Sequence, residues 1–159
     1  MKIETDKPII DVCCGSKMMW FDKNNPNVVF CDIRSESHTL CDGRALVIAP
    51  DVIADFTNLP FPDESFYLVS FDPPHFKSLG VNSWMAKKYG RLLPSWETDI
   101  KGGFDEAMRV LKKNGTLVLK WNVSEISMKE LLNVLQIAPE FGHTTGRQSK
   151  TIWLTFFKY

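Results

Sequence analysis

FYLVSFDPPH, residues 66–75, joins an apolar run to an acid, two adjacent prolines and a histidine. The run is short and rich in aromatic and β-branched residues, as buried strands are. Neither proline offers an N–H to a sheet ladder and each fixes its own φ, so the strand must stop at Asp72 and the chain beyond it must be stiff. Comparable runs lie on either side. PIIDVCC (8–14) and VVFCD (28–32) read as two earlier strands, and DVIADF (51–56) as a weaker third. FYLVSF is then the fourth, TLVLKW (116–121) the fifth, and TIWLTFFKY (151–159) the longest and most β-prone segment.

Helical spacing falls between several of these strands. Ile100, Phe104, Ala107 and Leu111 predict a helix over 98–113. Lys112 and Lys113 favour its negative end and Gly115 allows a turn, while Gly102 and Gly103 weaken its start. SMKELLNVL (127–135) opens with Ser127 and Glu130 as a capping box and places Met128, Leu131, Leu132 and Leu135 on one face. Alternating strands and helices predict an α/β sandwich around a mainly parallel sheet. With 159 residues and no repeat, linker or low-complexity tract, the expectation is a single domain over 1–159.

In such sheets ligands bind beyond the carboxyl ends of the strands. FDPPH begins at such an end, and so do three other acids: Asp11, Asp32 and Asp55. One acid there can simply cap a loop; four in succession, with Asp72, are harder to account for in that way. Asp32 lies 17 residues after Gly15, a spacing that suits hydrogen bonding to ribose hydroxyls. The first turn, CCGSKMMW, has one glycine and no G-x-G-x-x-G, which disfavours a dinucleotide pyrophosphate but leaves room for a nucleoside.

Formal net charge is zero but unevenly spread. Residues 1–75 hold 6 basic and 12 acidic side chains, and 76–113 hold 8 and 4. This balance argues against a non-specific nucleic-acid binder and leaves a local basic surface around 76–113. No window reaches the ~18 apolar residues of a membrane span. The opening MKIETDKPII lacks the apolar centre of a signal peptide, so the chain is expected in the cytoplasm with its four cysteines reduced. Cys31, His38 and Cys41 are spaced by seven and three residues, which matches no zinc pattern, and no metal is expected.

The order DVCCG, CDIR, ADFTNLPFPDESFYLVSFDPPH and RVLKKNGTLVLKW resembles the class I S-adenosylmethionine-dependent methyltransferases over roughly residues 8–121. FDPPH resembles the Asp/Asn/Ser-Pro-Pro-aromatic motif of the amino-group methyltransferases, with His75 where Tyr or Phe is usual. GSKMMWFDK, LPFPDESF, SWMAKKYGRL and KTIWLTFFKY are similar to short methyltransferase-like proteins of phages and prophages, over nearly the whole chain. The resemblance implies a Rossmann-like seven-stranded sheet of order 3-2-1-4-5-7-6, its last strand antiparallel, with helices on both faces. TIWLTFFKY would be strand seven, paired with a sixth near EFGHT (140–144).

It also implies S-adenosyl-L-methionine as cofactor. Asp11, Cys13, Gly15 and Ser16 would line its methionine part, and Asp32 would hold the ribose hydroxyls. Ile33 and Arg34 would lie against the adenine, Asp55 would accept from the adenine amino group, and the Phe56 backbone N–H would meet the ring.

The residue types at 72–75 suit methylation of an exocyclic amine, whose lone pair is delocalised into its ring. The Asp72 carboxylate and the Pro73 carbonyl can each accept one amine hydrogen, which frees the lone pair for attack on a sulfonium methyl. Pro73 and Pro74 hold that carbonyl with little backbone freedom, and His75 would stack on the base. Methylation at cytosine carbon-5 needs a thiolate, and Cys13, Cys14, Cys31 and Cys41 all lie away from FDPPH in sequence.

A substrate-side insertion is expected at about 76–97, where Trp84, Tyr89 and Trp96 interleave with Lys77, Lys87, Lys88 and Arg91. Trp84, Lys88, Tyr89, Arg91 and Trp121 are the candidate substrate contacts, with Lys120 and Asn122 beside them. DNA or RNA is the favoured acceptor, a small molecule or protein amide the alternative. The chain has no room for a separate recognition domain, so a partner subunit could supply sequence reading. A different class of reading is a methyltransferase fold that binds cofactor or nucleoside without turnover.

Overall fold

The sheet is built outward from β1 (Ile9–Asp11), which pairs in parallel with β2 (Val28–Asp32) on one side and β6 (Phe66–Phe71) on the other. The computed structural model describes residues 2–143 and 150–159. Beyond β2 lies β5 (Val52–Ile53); beyond β6 lie β7 (Leu111–Asn122), β9 (Thr151–Phe157) and β8 (Phe141–Gly142). The order is β5-β2-β1-β6-β7-β9-β8, parallel as far as β7, with β9 antiparallel to both its neighbours. Counting only these seven strands, this is the expected 3-2-1-4-5-7-6. Thr144 of the proposed sixth strand lies outside the described residues.

Alternation along β7 and β9 turns Leu117, Leu119, Trp121, Ile152, Leu154 and Phe156 into one core. Two helices cover that face: α2 (Trp96–Val110), through Ile100, Phe104 and Ala107, and α3 (Met128–Leu135), through Leu131 and Leu135. The capping box of α3 forms as read, with the Ser127 hydroxyl accepting from the Glu130 N–H and the Glu130 carboxylate accepting from the Ser127 N–H.

α2 departs from its expected span. It stops at Val110, and Leu111 is already extended opposite Phe66. The residues Lys112–Gly115 loop out before Thr116 resumes pairing opposite Leu68, with Asn114 left-handed at φ 63°. Lys112 and Lys113 therefore do not serve the helix end. Lys158 does, arriving from beyond β9, with Nζ donating to the carbonyls of Met108 at 2.9 Å and Leu111 at 2.6 Å. A cation from 47 residues away leaves no local mark in the sequence.

The two glycines that weaken α2 play different roles. A Cβ on Gly103 would stand 2.3 Å from Phe56 Cδ2 and 3.1 Å from Phe71 Cζ, whereas one on Gly102 would make ordinary contact with Thr57 at 3.8 Å. Gly103→Ala is expected to lower stability by about 1–3 kcal/mol through overpacking. Gly102→Ala is expected to be neutral or to stabilise by up to about 1 kcal/mol. Urea midpoints at unchanged m-value check both.

Where the resemblance places helices on both faces, α2 and α3 lie together on one. The chain passes from β1 to β2 through turns, and Trp20 from that segment packs edge-on against Phe30 of β2 at 5.2 Å. Between β2 and β5 stands an antiparallel hairpin, β3 (Glu36–Thr39) and β4 (Ala45–Ile48), turning at Asp42–Gly43 with Gly43 at φ 81°. The 76–97 segment holds one short helix, α1 (Trp84–Tyr89), capped by Ser83 and ended by Gly90.

Candidate active site

The parallel register sets the acids side by side. Asp11 ends β1 opposite Ser70 of β6, and Phe71 pairs with Leu119 of β7, so Asp72 and Lys120 follow as neighbours. Lys120 Nζ donates to Asp72 Oδ2 at 2.5 Å, with about a quarter of each side chain exposed (25% and 22%). Pro74 packs against Gly90, where a Cβ would come within 2.9 Å of the proline ring. The double proline thus seats α1 as well as ending the strand.

Two cavities meet here. The inner one is lined by Asp11, Cys13, Gly15, Ser16, Arg34, Pro73 and Lys88, the outer one by Phe76, Met85, Trp121, Asn122 and Thr151. Asp72, His75, Tyr89 and Lys120 line both and form the wall between them. The outer cavity measures about 170 Å³ and the inner about 50 Å³. Arg34 is part of the inner cavity's wall.

Asp32 is buried at 5% exposure. Its Oδ2 accepts from the Gly15 N–H at 2.9 Å, and its Oδ1 from the Arg34 N–H at 2.9 Å and Arg34 Nε at 3.2 Å. Arg34 Nη1 also donates to the Lys87 carbonyl at 2.8 Å, tying the end of β2 to α1. Asp11 is 1% exposed and accepts from Trp20 Nε1 at 2.6 Å and from the Cys13 N–H at 3.2 Å. Burial lifts its carboxyl to about 7 against these two bonds, and the charges of Asp72 and Asp32 add to the rise.

Burial keeps the thiols protonated: Cys13 and Cys14 are pushed well up and Cys31 to about 12. That removes them as nucleophiles. His75 is enclosed by rings, 4.3 Å from Phe76 and 6.2 Å from both Tyr89 and Trp121. Its Nδ1 has no hydrogen-bond partner among the described residues. Burial lowers its pKa, opposed by the Asp72 charge, so the ring is mainly neutral near pH 7.

Other sequence candidates stand elsewhere. Trp121 is fully buried and its Nε1 is taken by the Ile126 carbonyl at 3.1 Å, so it floors the outer cavity without a free donor. Trp84 and Arg91 line neither cavity. Ile33 is 61% exposed, and the exposed Asp55 accepts from the Thr57 N–H at 2.9 Å in a tight turn. The Phe56 ring packs at 5.6 Å on Phe71. Sequence reasoning missed Trp20 as the partner of Asp11 and the Asp72–Lys120 bond; no motif spacing marks either. Among the described residues, no three His, Cys, Asp or Glu side chains are grouped to hold a metal ion.

The inner cavity has a lining of mixed charge: Asp11 and Asp72 stand there with Arg34, Lys88 and Lys120. Asp11 is lifted mainly by burial, with the charges of Asp72 and Asp32 adding to the rise. This mixed lining fits the methionine part of S-adenosylmethionine, which carries a sulfonium, an ammonium and a carboxylate.

No family model and no curated protein sequence matches the chain. Solved structures do. A TehB-like S-adenosylmethionine-dependent methyltransferase of Corynebacterium glutamicum is similar at 16% identity and TM-score 0.59, over 95% of this chain and 79% of that one. One from Methanosarcina mazei gives 14% and 0.56 over 95% and 92%. The geranyl diphosphate C-methyltransferase of Streptomyces coelicolor A3(2), solved with S-adenosyl-L-homocysteine, gives 11% and 0.57 over 99% and 73%. The chain has the Rossmann-like fold of the S-adenosylmethionine-dependent methyltransferases.

Proposed function

We propose that the chain is an S-adenosylmethionine-dependent N-methyltransferase acting on the exocyclic amine of an unpaired, adenine-type base in DNA or RNA. The observation that carries this reading is the wall between the two cavities: Asp72 and His75 face a charged pocket holding Asp11 on one side and an aromatic-lined pocket on the other. The cofactor, when bound, supplies an activated methyl group. Asp11 and Asp32 would hold its cationic and ribose parts, the latter once Arg34 yields the carboxylate.

Asp72 and the Pro73 carbonyl accept the two amine hydrogens, and as nitrogen forms its new bond Asp72 takes the surplus proton. Lys120 adds selectivity. By neutralising Asp72 it removes the attraction for alkylammonium ions, which have no lone pair to donate, and leaves a site suited to a neutral aryl amine. The neutral His75 and Tyr89 offer flat surfaces for the base.

Transfer of labelled methyl to single-stranded DNA, single-stranded RNA and small amines tests the reading; label on adenine N6 supports it, and label confined to alkylamines or protein overturns it. Asp32→Ala is expected to weaken cofactor binding about ten-fold or more in calorimetry, since a buried charged acceptor is lost. The enclosure of His75 by Phe76, Tyr89 and Trp121 favours a second reading, a cofactor-binding module without turnover. Cofactor binding with no transfer to any acceptor would select it.

A further inference from the structure

A third cavity, of about 420 Å³, opens between the 15–24 loop and the β3–β4 hairpin. Four cations line it, Lys17, Lys23, Arg44 and Lys88, and among its described lining residues none is acidic. This is unexpected for the first half of the chain, which holds 6 basic side chains against 12 acidic ones; three of those six are gathered here. The cavity adjoins the inner one through Gly15, Ser16, Met18 and Lys88, which line both. Asp11, Asp32, Ile33, Asp55 and Phe56 do not line it. S-adenosylmethionine carries net positive charge, so a pocket of four cations repels it.

The same loop carries a second feature. Phe21 is fully exposed, although its neighbour Trp20 is packed on Phe30 and bonded to Asp11. A bare aromatic face beside a basic groove is the arrangement on which single strands bind, phosphates in the groove and bases on the ring. Local contacts temper the charge: Arg44 pairs with Asp42 at 2.6 Å, Lys17 Nζ lies 4.1 Å from the Phe30 ring centroid, and Lys88 Nζ lies 5.2 Å and 5.8 Å from those of Tyr89 and Trp84. Asp42 does not line the groove.

We propose that this groove holds the phosphodiester backbone of a single-stranded nucleic acid, with Phe21 stacking one of its bases. This deepens the nucleic-acid reading above and rests on it. It also gives the β3–β4 hairpin a task, since no recognition domain is present among the described residues.

The test uses a fluorescent twelve-residue oligothymidylate, which has phosphates but no exocyclic amine and so reports the groove without the methyl-transfer reaction. Anisotropy is expected to show binding that weakens with salt. Lys23→Glu/Arg44→Glu, both exposed sites, should raise Kd at least ten-fold and lower the log–log salt slope by about 1.4, from two lost single-strand contacts. Phe21→Ala should raise Kd roughly ten-fold at unchanged salt slope. Cofactor affinity should stay constant in all three proteins by calorimetry.

Unchanged oligothymidylate binding in the charge-reversal variant overturns the proposal. So does thymidine monophosphate binding as tightly as the oligomer, or loss of cofactor affinity in the variant, which would assign the pocket to the cofactor. The two readings fail separately. Oligothymidylate binding without label transfer to any base removes the reaction and keeps the groove. Transfer by the variant at unchanged KM removes the groove and keeps the reaction.

Discussion

Asp72→Ala is expected to abolish measurable methyl transfer, a loss of about 10²–10³-fold or more, while cofactor affinity stays within a few-fold. The size follows from the task assigned to the carboxylate, which meets nitrogen most strongly as it becomes cationic, so the loss falls on the transition state. Cofactor binding should survive because Asp11 and Asp32 carry that part of the cavity. Removing Asp72 also strips Lys120 of its partner, but the ammonium is a quarter exposed and can hydrate, so the fold should hold.

Asp72→Asn separates acceptance from charge. It retains one carbonyl oxygen for an amine hydrogen but can neither neutralise Lys120 nor take a proton, so its rate should fall between wild type and alanine. Single-turnover rates with labelled cofactor check all three proteins. Wild-type turnover in Asp72→Ala would remove the role assigned here.

The second large effect concerns Asp11 and pH. Its folded-state pKa of about 7 stands well above its ordinary 3.8, because burial penalises the charge. Below pH ~4 the group is protonated in folded and unfolded chains alike, and its contribution to stability is fully present. Between pH 4 and 7 the unfolded chain releases the proton while the folded one retains it, so stability falls as pH rises, by roughly 4 kcal/mol in all. Asp11→Asn should flatten that part of the pH profile in urea unfolding.

The cofactor should act in the opposite sense. A sulfonium or ammonium beside Asp11 favours the ionised carboxylate, so its affinity should rise with pH from 5.5 to 8 and its binding should release a proton. Calorimetry in buffers of different ionisation enthalpy measures that proton directly. Binding that is flat with pH and releases nothing would separate Asp11 from the cofactor.

The strands Val28–Asp32 and Phe66–Phe71 were legible to the residue, because each is a short apolar run closed by an acid or a proline. The α3 cap was legible for the same reason, since its signal lies within four residues. Strand order came through the resemblance. The hairpin went unread although Asp42–Gly43 between ESHT and ALVI is a turn signal, because half of its residues are polar and the strands on either side drew the reading. At the site, Asp11, Asp32 and Asp72 were visible from their places after apolar runs, whereas Asp55, read by the same pattern, stands apart in an exposed turn. Their partners were not, since Trp20, Arg34 and Lys120 reach them by the path of the folded chain rather than by spacing. Trp121 lines the outer cavity with its Nε1 spent on the Ile126 carbonyl, a partner that no strand-end pattern marks.

Arg34 couples two events that are usually discussed apart. Its guanidinium joins the Asp32 carboxylate to the Lys87 carbonyl, so whatever draws it from Asp32 also loosens the end of α1 that carries Lys88 and Tyr89. If the cofactor draws Arg34 away, filling one side of the wall resets the other, and by linkage donor and acceptor then alter each other's affinity by the same factor.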